Sequence, residues 1–218
     1  MSNETATMSF AQLAAKLLRL PARTSTLLVG IDGGGGAGKS TFARSLKSAF
    51  ASLPLRATIV QMDDFFLPSS KTPVPANDGF VDGTIDWQRV VDQVISPLLA
   101  NQSGRYQRYD WPSHALAEWH TVDSGGIVIV EGVCSLRREL APLYDYRIWV
   151  ECPLTLGLAR GIARDGEKVC DRWKKVWMPA EMRHKKLHRP LDAADLIVDG
   201  SGETGIDSTR FLTAIVAR

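Results

Sequence analysis

Three groups of residues have the types and spacing to do chemistry, and each follows an apolar run. The first is Gly33-Gly34-Gly35-Gly36-Ala37-Gly38-Lys39-Ser40, which fits the pattern GxxxxGK[ST]. Glycines let backbone N–H groups converge on a phosphate because no side chain intervenes, and the partial positive charge of a helix N-terminus adds to the cradle. The run lies between an expected strand and an expected helix. Gly33, Gly34, Gly35, Gly36, Ala37, Gly38, Lys39, Ser40 and Thr41 are therefore the expected nucleotide contacts. Lys39 would reach the β and γ phosphates and Ser40 would ligate magnesium.

The second group is Asp63-Asp64-Phe65-Phe66, directly after the run 58–62. In a parallel sheet the carboxyl ends of the strands gather at one edge, which brings Asp63 beside the phosphate loop. A carboxylate there can accept or orient the proton of an attacking hydroxyl, while magnesium and Lys39 stabilise charge on a transferred phosphoryl group. Asp63 is the expected catalytic base. The alternative is that the two acids only cap the following turn, with Asp64 the better capping member. The third group is Glu131-Gly132 after Ile127-Val128-Ile129-Val130. Glu131 could hold magnesium directly or through water, or stand as a solvated strand-end carboxylate.

These groups need elements to hold them, and the pattern supplies a set. Apolar, β-branched runs at 26–31, 58–62, 127–130, 147–150 and 196–198 are continuous rather than alternating, as strands buried on both faces should be. Helical stretches are expected at 39–52, 86–100, 154–163, 171–188 and 208–216, the last with Phe211, Leu212 and Ile215 on one face. Residues 1–24 are expected to form a short amphipathic helix. The segment 68–84, rich in Pro, Gly and Asp, reads as an ordered loop or lid. The expected fold is α/β of the P-loop NTPase type: a five-stranded parallel sheet flanked by helices, with a lid segment.

Composition narrows the partners. Over 218 residues, 26 Lys and Arg face 24 Asp and Glu, a formal net charge of +2 that leaves little room for nucleic acid recruited by bulk charge. With 44% hydrophobic and 23% charged residues, 1–218 reads as one globular domain. Cys134, Cys152 and Cys170 are an odd, widely spaced set without a CxxC pair. They argue against a disulfide framework or a zinc site and fit a reducing, cytoplasmic setting. Lys16 and Arg19 interrupt the apolar residues near the N-terminus, so neither a signal-peptide core nor a membrane span is expected.

What the nucleotide is for is a separate question, because P-loop folds serve motors, switches and kinases. No Asn-Lys-x-Asp guanine-reading motif follows the loop, and a large motor would need more chain. A small-molecule kinase using ATP and Mg2+ remains. A non-catalytic ATP-binding regulatory module is the rival of another class, and Asp63 separates the two, since a binding module has no use for a base there.

At this point the chain resembles the uridine kinase family of P-loop kinases, with its phosphoribulokinase-like and nicotinamide riboside kinase-like members. The resemblance rests on the glycine loop, Met62-Asp63-Asp64-Phe65-Phe66, Tyr109-Asp110 followed by His114, Glu131-Gly132, Arg160-x-x-x-Arg164-Asp165, and Ala194-Asp195-Leu196-Ile197-Val198. It implies that Asp63 is the base and that an acid after it binds the acceptor's sugar hydroxyls. Asp82 is favoured for that role and Asp86 as a helix cap. It also implies that 68–84 and 101–120 line the acceptor side, with Tyr109 and His114 holding a base.

The same resemblance implies that Arg160 and Arg164 belong to a helix and lid over 160–190 that close on the phosphates. Ten Lys and Arg face four acids between 160 and 189, which suits that role, although some of these residues simply make a solvated face. Trp173 and Trp177, four apart, read as packing or as a stacking platform. The implied acceptor is a nucleoside of the uridine or cytidine type, with nicotinamide riboside, pantothenate, a sugar or a sugar phosphate as alternatives. A homo-oligomer is left open.

Overall fold

The computed structural model describes residues 5–21, 23–51, 53–68, 84–202 and 210–214. In chain order the elements are β1 (Thr5–Ser9), α1 (Phe10–Leu17), β2 (Thr26–Gly33), α2 (Lys39–Ala49) and β3 (Ala57–Gln61), followed by a single 3₁₀ turn (Met62–Phe65). Helix α3 covers 87–99 and contains one π turn at Val91–Ile95. Strands β4 (Gly104–Asp110), β5 (Ala115–Val122), β6 (Gly126–Glu131) and β7 (Tyr146–Glu151) come next, then α4 (Leu154–Asp165). Helix α5 covers 170–188 with a π turn at Trp173–Trp177, and β8 (Leu196–Asp199) and β9 (Arg210–Ala214) end the described chain.

The main sheet runs β1-β9-β8-β7-β2-β6-β3. Its β8-β7-β2-β6-β3 portion is parallel throughout, which is the expected five-stranded sheet. All eight residues of β2 are buried, because helices cover both faces of the sheet. On one face Phe10 of α1, Phe42 of α2 and Phe211 of β9 meet as three rings with centroids 4.8–5.0 Å apart. On the other, Val94 and Leu98 of α3 and Tyr106 of β4 pack over Leu28, Val128 and Val130. Register sets the site: Glu131 lies opposite both Ile31 of β2 and Gln61 of β3. The residues that follow these three strand ends therefore emerge side by side.

Two expectations are corrected at the termini. The stretch 208–216 is not a helix where it is described: 210–214 is strand β9, antiparallel to β8 and β1. Phe211 and Thr213, two apart, are buried, the period of a strand rather than of a helix face. The N-terminal 1–24 is likewise not one helix, since Thr5–Ser9 is the partner strand of β9. Helix α1 begins only at Phe10, where Ser9 and Gln12 form a reciprocal capping box. Most of the stretch 101–120, which the resemblance places on the acceptor side, lies in the β4–β5 hairpin, whose bulge falls between Gln107 and Tyr109. Asp82 and nearly all of 68–84 lie outside the described residues. Cys134, Cys152 and Cys170 form no disulfide. Among the described residues no helix is long and apolar enough to cross a membrane.

Candidate active site

The glycine loop joins β2 to α2 and takes its shape from positions only glycine fills. Gly36 has φ +71°, and a Cβ there would lie 2.2 Å from the carbonyl oxygen of Gly157 in α4, so the loop and that helix touch backbone to backbone. Gly38 has φ +97° and caps α2 with no side-chain bond to the helix amides. A Cβ on Gly38 would meet nothing within 4 Å, so the positive φ and not crowding favours glycine there, and the first amides of α2 have no side-chain cap competing with an anion. Lys39 is buried at the start of α2 and its Nζ donates to the carbonyl of Gly34 at 2.8 Å.

Around Lys39 stand carboxylates from three elements. Glu131, buried at the end of β6, accepts a hydrogen bond from the Ser40 hydroxyl. Burial raises its carboxyl above the ordinary value, while the Ser40 bond and the charge of Lys39 pull it back and Asp63 adds to the rise. Asp63 sits in the 3₁₀ turn after β3. Water reaches its side chain, yet the surrounding protein disfavours the charged form and raises its carboxyl, against the pull of Lys39 and Arg164. Because solvent has access, that rise is smaller than full burial would give. The third carboxylate is Glu181 of α5, whose Oε1 accepts from the Gly35 N–H at 2.9 Å.

A hydroxyl and a carboxylate bonded to each other beside the cradle form a hard-oxygen pair, the donor type that suits magnesium. Among the described residues no group of three His, Cys, Asp or Glu side chains could hold a metal ion alone. Ser40 and Glu131 thus fit an ion that fills most of its shell with water and phosphate oxygens, as Mg2+ does. Thr41 is exposed on α2, where its Oγ1 accepts from Arg44 at 3.2 Å.

The two arginines of α4 differ. Arg160 donates from Nη1 to the carbonyl of Gly200 at 2.6 Å and to that of Gly36 at 3.4 Å, and from Nη2 to the carbonyl of Ser201. It ties the loop to the segment after β8. Arg164 pairs with Asp165 at 2.7 Å and stays within electrostatic reach of Asp63. Trp173 packs edge-on to Trp177 with centroids 5.0 Å apart and donates from its indole to Asp165 at 3.0 Å. Its ring lies so close to Gly35 and Gly161 that a Cβ on either would fall 2.4–2.5 Å from ring carbons. The tryptophan pair is packing between α5, α4 and the loop.

The β4–β5 hairpin faces the turn that carries Asp63. The Tyr106 hydroxyl donates to Asp64 Oδ2 at 2.9 Å, and its ring lies 4.7 Å from that of Phe65. Asp64 therefore anchors the hairpin in addition to belonging to the turn. Phe66, Tyr109 and Trp111 form an aromatic cluster, with centroids 4.6 Å apart for Phe66 and Trp111 and 5.8 Å for Phe66 and Tyr109. The Tyr109 hydroxyl is 2.8 Å from His114 Nδ1. Asp86 caps α3 by accepting the Arg89 N–H at 3.1 Å, as expected of it.

Sequence reasoning placed a helix at 171–188 but passed over Asp32 and, on that helix, Glu181, His184 and His188. Asp32, the last acid before the glycines, is fully buried and accepts from the N–H groups of Gly33 (2.7 Å) and Leu136 (2.8 Å) and lies 3.1 Å from His184 Nε2. It joins the base of the loop to α5. The available signal was positional: Glu181, His184 and His188 recur at intervals of three and four, one face of a helix.

Comparison with known proteins agrees with this geometry. The model of the phosphoribulokinase / uridine kinase family matches residues 28–199. A uridine kinase of Halobacterium salinarum is 29% identical over 193 residues, covering 82% of this chain and 83% of that protein. The solved structure described as a possible uridine kinase from Bacillus stearothermophilus superposes with a TM-score of 0.68 at 21% identity, over 86% of this chain and 96% of that one. A D-glycerate 3-kinase from Cryptococcus neoformans var. grubii superposes with a TM-score of 0.61 at 14% identity, over 88% of this chain and 93% of that one. At these identities the two structures speak for the fold alone.

Proposed function

The chain belongs to the phosphoribulokinase / uridine kinase family and is a small-molecule kinase, and from that premise we propose that it transfers the γ-phosphoryl group of ATP to a hydroxyl of a nucleoside of the uridine or cytidine type. The observation that carries the acceptor assignment is the aromatic cluster of Phe66, Tyr109 and Trp111, with His114 bonded to Tyr109, on a hairpin anchored through Asp64 next to Asp63. Such a surface stacks on a planar base, and the Tyr109–His114 pair offers hydrogen bonds to its edge.

In this reading the acceptor hydroxyl gives its proton to a carboxylate oxygen of Asp63 as its oxygen bonds to the γ-phosphorus. The bond from that phosphorus to the bridging oxygen breaks, and ADP leaves with the electron pair. The glycine-loop amides and Lys39 hold the phosphates in line, and Arg164, already within reach of Asp63, carries charge toward the transferring group. Mg2+ held at Ser40 and Glu131 would neutralise phosphate charge. Helices α4 and α5 touch the glycine loop through Gly157 and Trp173, and their closing on bound nucleotide and acceptor would limit the access of water, which would otherwise take the phosphoryl group.

The test is ADP release with ATP and Mg2+ across uridine, cytidine, nicotinamide riboside, pantothenate, several sugars and sugar phosphates. Uridine or cytidine should stimulate release most, judged by kcat/KM. Stimulation by a sugar or sugar phosphate alone would remove the nucleoside assignment while leaving the kinase. No stimulation by any acceptor, with ATP still bound, would favour a binding module.

A further inference from the structure

The cradle that is to receive phosphates already makes a bond to a carboxylate of the same chain. The Gly35 N–H donates to Glu181 Oε1 at 2.9 Å, and a Cβ on Gly34 would come within 3.2 Å of Oε2, so both oxygens lie along the loop. Lys39 faces Glu181 closely enough to favour its charged form, against the burial that raises its carboxyl, with Asp32 and His184 the other charged or titratable groups acting on it. Glu181 thus sits in the field, and on one of the donors, that a phosphate would use.

Nothing about this contact is loose. Three residues along α5, His184 Nε2 lies 3.1 Å from buried Asp32 at the base of the loop, and Lys185 pairs with Glu151 of β7 at 3.0 Å. Eight residues before Glu181, the Trp173 ring packs closely against Gly35 and Gly161. Helix α5 is anchored on both sides of the carboxylate, and it presents Glu181 to the loop as a built contact.

We propose that Glu181 is an internal competitor for the phosphate loop: its carboxylate must leave Gly35 for a triphosphate to settle, and this sets the affinity for nucleotide. Two like charges on one donor in a partly buried site repel, and the repulsion is relieved by moving one of them. The inference rests on reading residues 33–40 as the nucleotide loop. It adds to that reading a gate on α5 that couples nucleotide binding to movement of the helix, because Glu181 cannot withdraw far while Trp173 and His184 stay in place.

The test is calorimetric titration of ATP, inorganic tripolyphosphate and adenosine onto the parent protein, Glu181→Gln and Glu181→Ala. Gln keeps the shape and an acceptor for Gly35 but not the charge, so it preserves the packing even if Ala does not. The Kd for ATP and for tripolyphosphate should fall about tenfold in Glu181→Gln, within the usual range for coupled sites, while adenosine binding stays the same. Unchanged or weaker binding of both phosphate ligands to Glu181→Gln would overturn the gate and leave the nucleotide loop standing. Adenosine tightening as much as ATP would also overturn it, since the effect would then come from the helix and not from charge. If no protein in the set bound ATP or tripolyphosphate, the loop reading itself would fall, and the gate with it.

Discussion

Asp63→Asn is expected to lower kcat by about 10²–10⁴-fold, the range a positioned general base contributes, while ATP affinity stays near that of the parent. Asn keeps the size of the side chain and its place in the turn after β3 but cannot take the proton of the acceptor hydroxyl. The parent should also carry a signature the variant lacks. The surrounding protein disfavours the charged form of Asp63 and raises its carboxyl against the pull of Lys39 and Arg164. A base whose pKa is raised is lost at a higher pH on acidification, so kcat/KM should fall through a pH somewhat above the ordinary carboxylate range. That acid limb should vanish in Asp63→Asn. A limb that persists unchanged in the variant would assign it to another group.

Lys39→Ala should be as damaging and differently so. Lys39 is the cation that acts on Asp63, Glu131 and Glu181 together, and its Nζ braces Gly34 at 2.8 Å. Removal takes away charge stabilisation at the phosphates, which should reduce kcat by about 10²–10³-fold, as loss of one preorganised donor does, and should weaken ATP binding as well. It also withdraws the pull that keeps Asp63 ionised. Residual activity should therefore show its acid limb displaced to higher pH, whereas Lys39→Arg, which keeps a charge, should displace it little. A limb at the parent's position in Lys39→Ala would deny the electrostatic link between Lys39 and the base.

The parts of this site legible in the sequence are those written in contiguous residues. The glycine loop carries its own geometry, because the positions at φ +71° and +97° are both glycine. Asp63 and Glu131 could be placed because parallel strands end at a common edge, and the register of β2, β6 and β3 brings them there. The terminal strands were not legible. Phe211, Leu212 and Ile215 suit a helix face, and the partner that makes 210–214 a strand is the stretch around Ala6, where Thr213 pairs. No local pattern records a pairing across the whole chain.

Contacts made by single residues at long range escaped for the same reason. Glu181 is one of four acids in a strongly basic stretch and reads as part of a solvated face; it reaches Gly35 only because His184 and Asp32 lock α5 to the base of the loop. Asp64 looked like a turn cap, yet its partner is Tyr106, reached once β4 folds over the turn. Arg160 lies near the phosphate loop as the motif suggests, but its donors go to backbone oxygens of Gly36, Gly200 and Ser201. Those oxygens come from segments brought together only by the closing of the sheet.

The measurement that tests the central claim most directly follows the phosphorus itself. ATP labelled at its γ-phosphorus would be incubated with Mg2+, the protein and uridine or cytidine, and the products separated. The label is expected in a nucleoside monophosphate in equal amount to the unlabelled ADP formed, with both products appearing about 10²–10⁴-fold more slowly when Asp63→Asn replaces the parent. Label appearing only as inorganic phosphate, at a rate indifferent to the nucleoside and to Asp63, would contradict that claim.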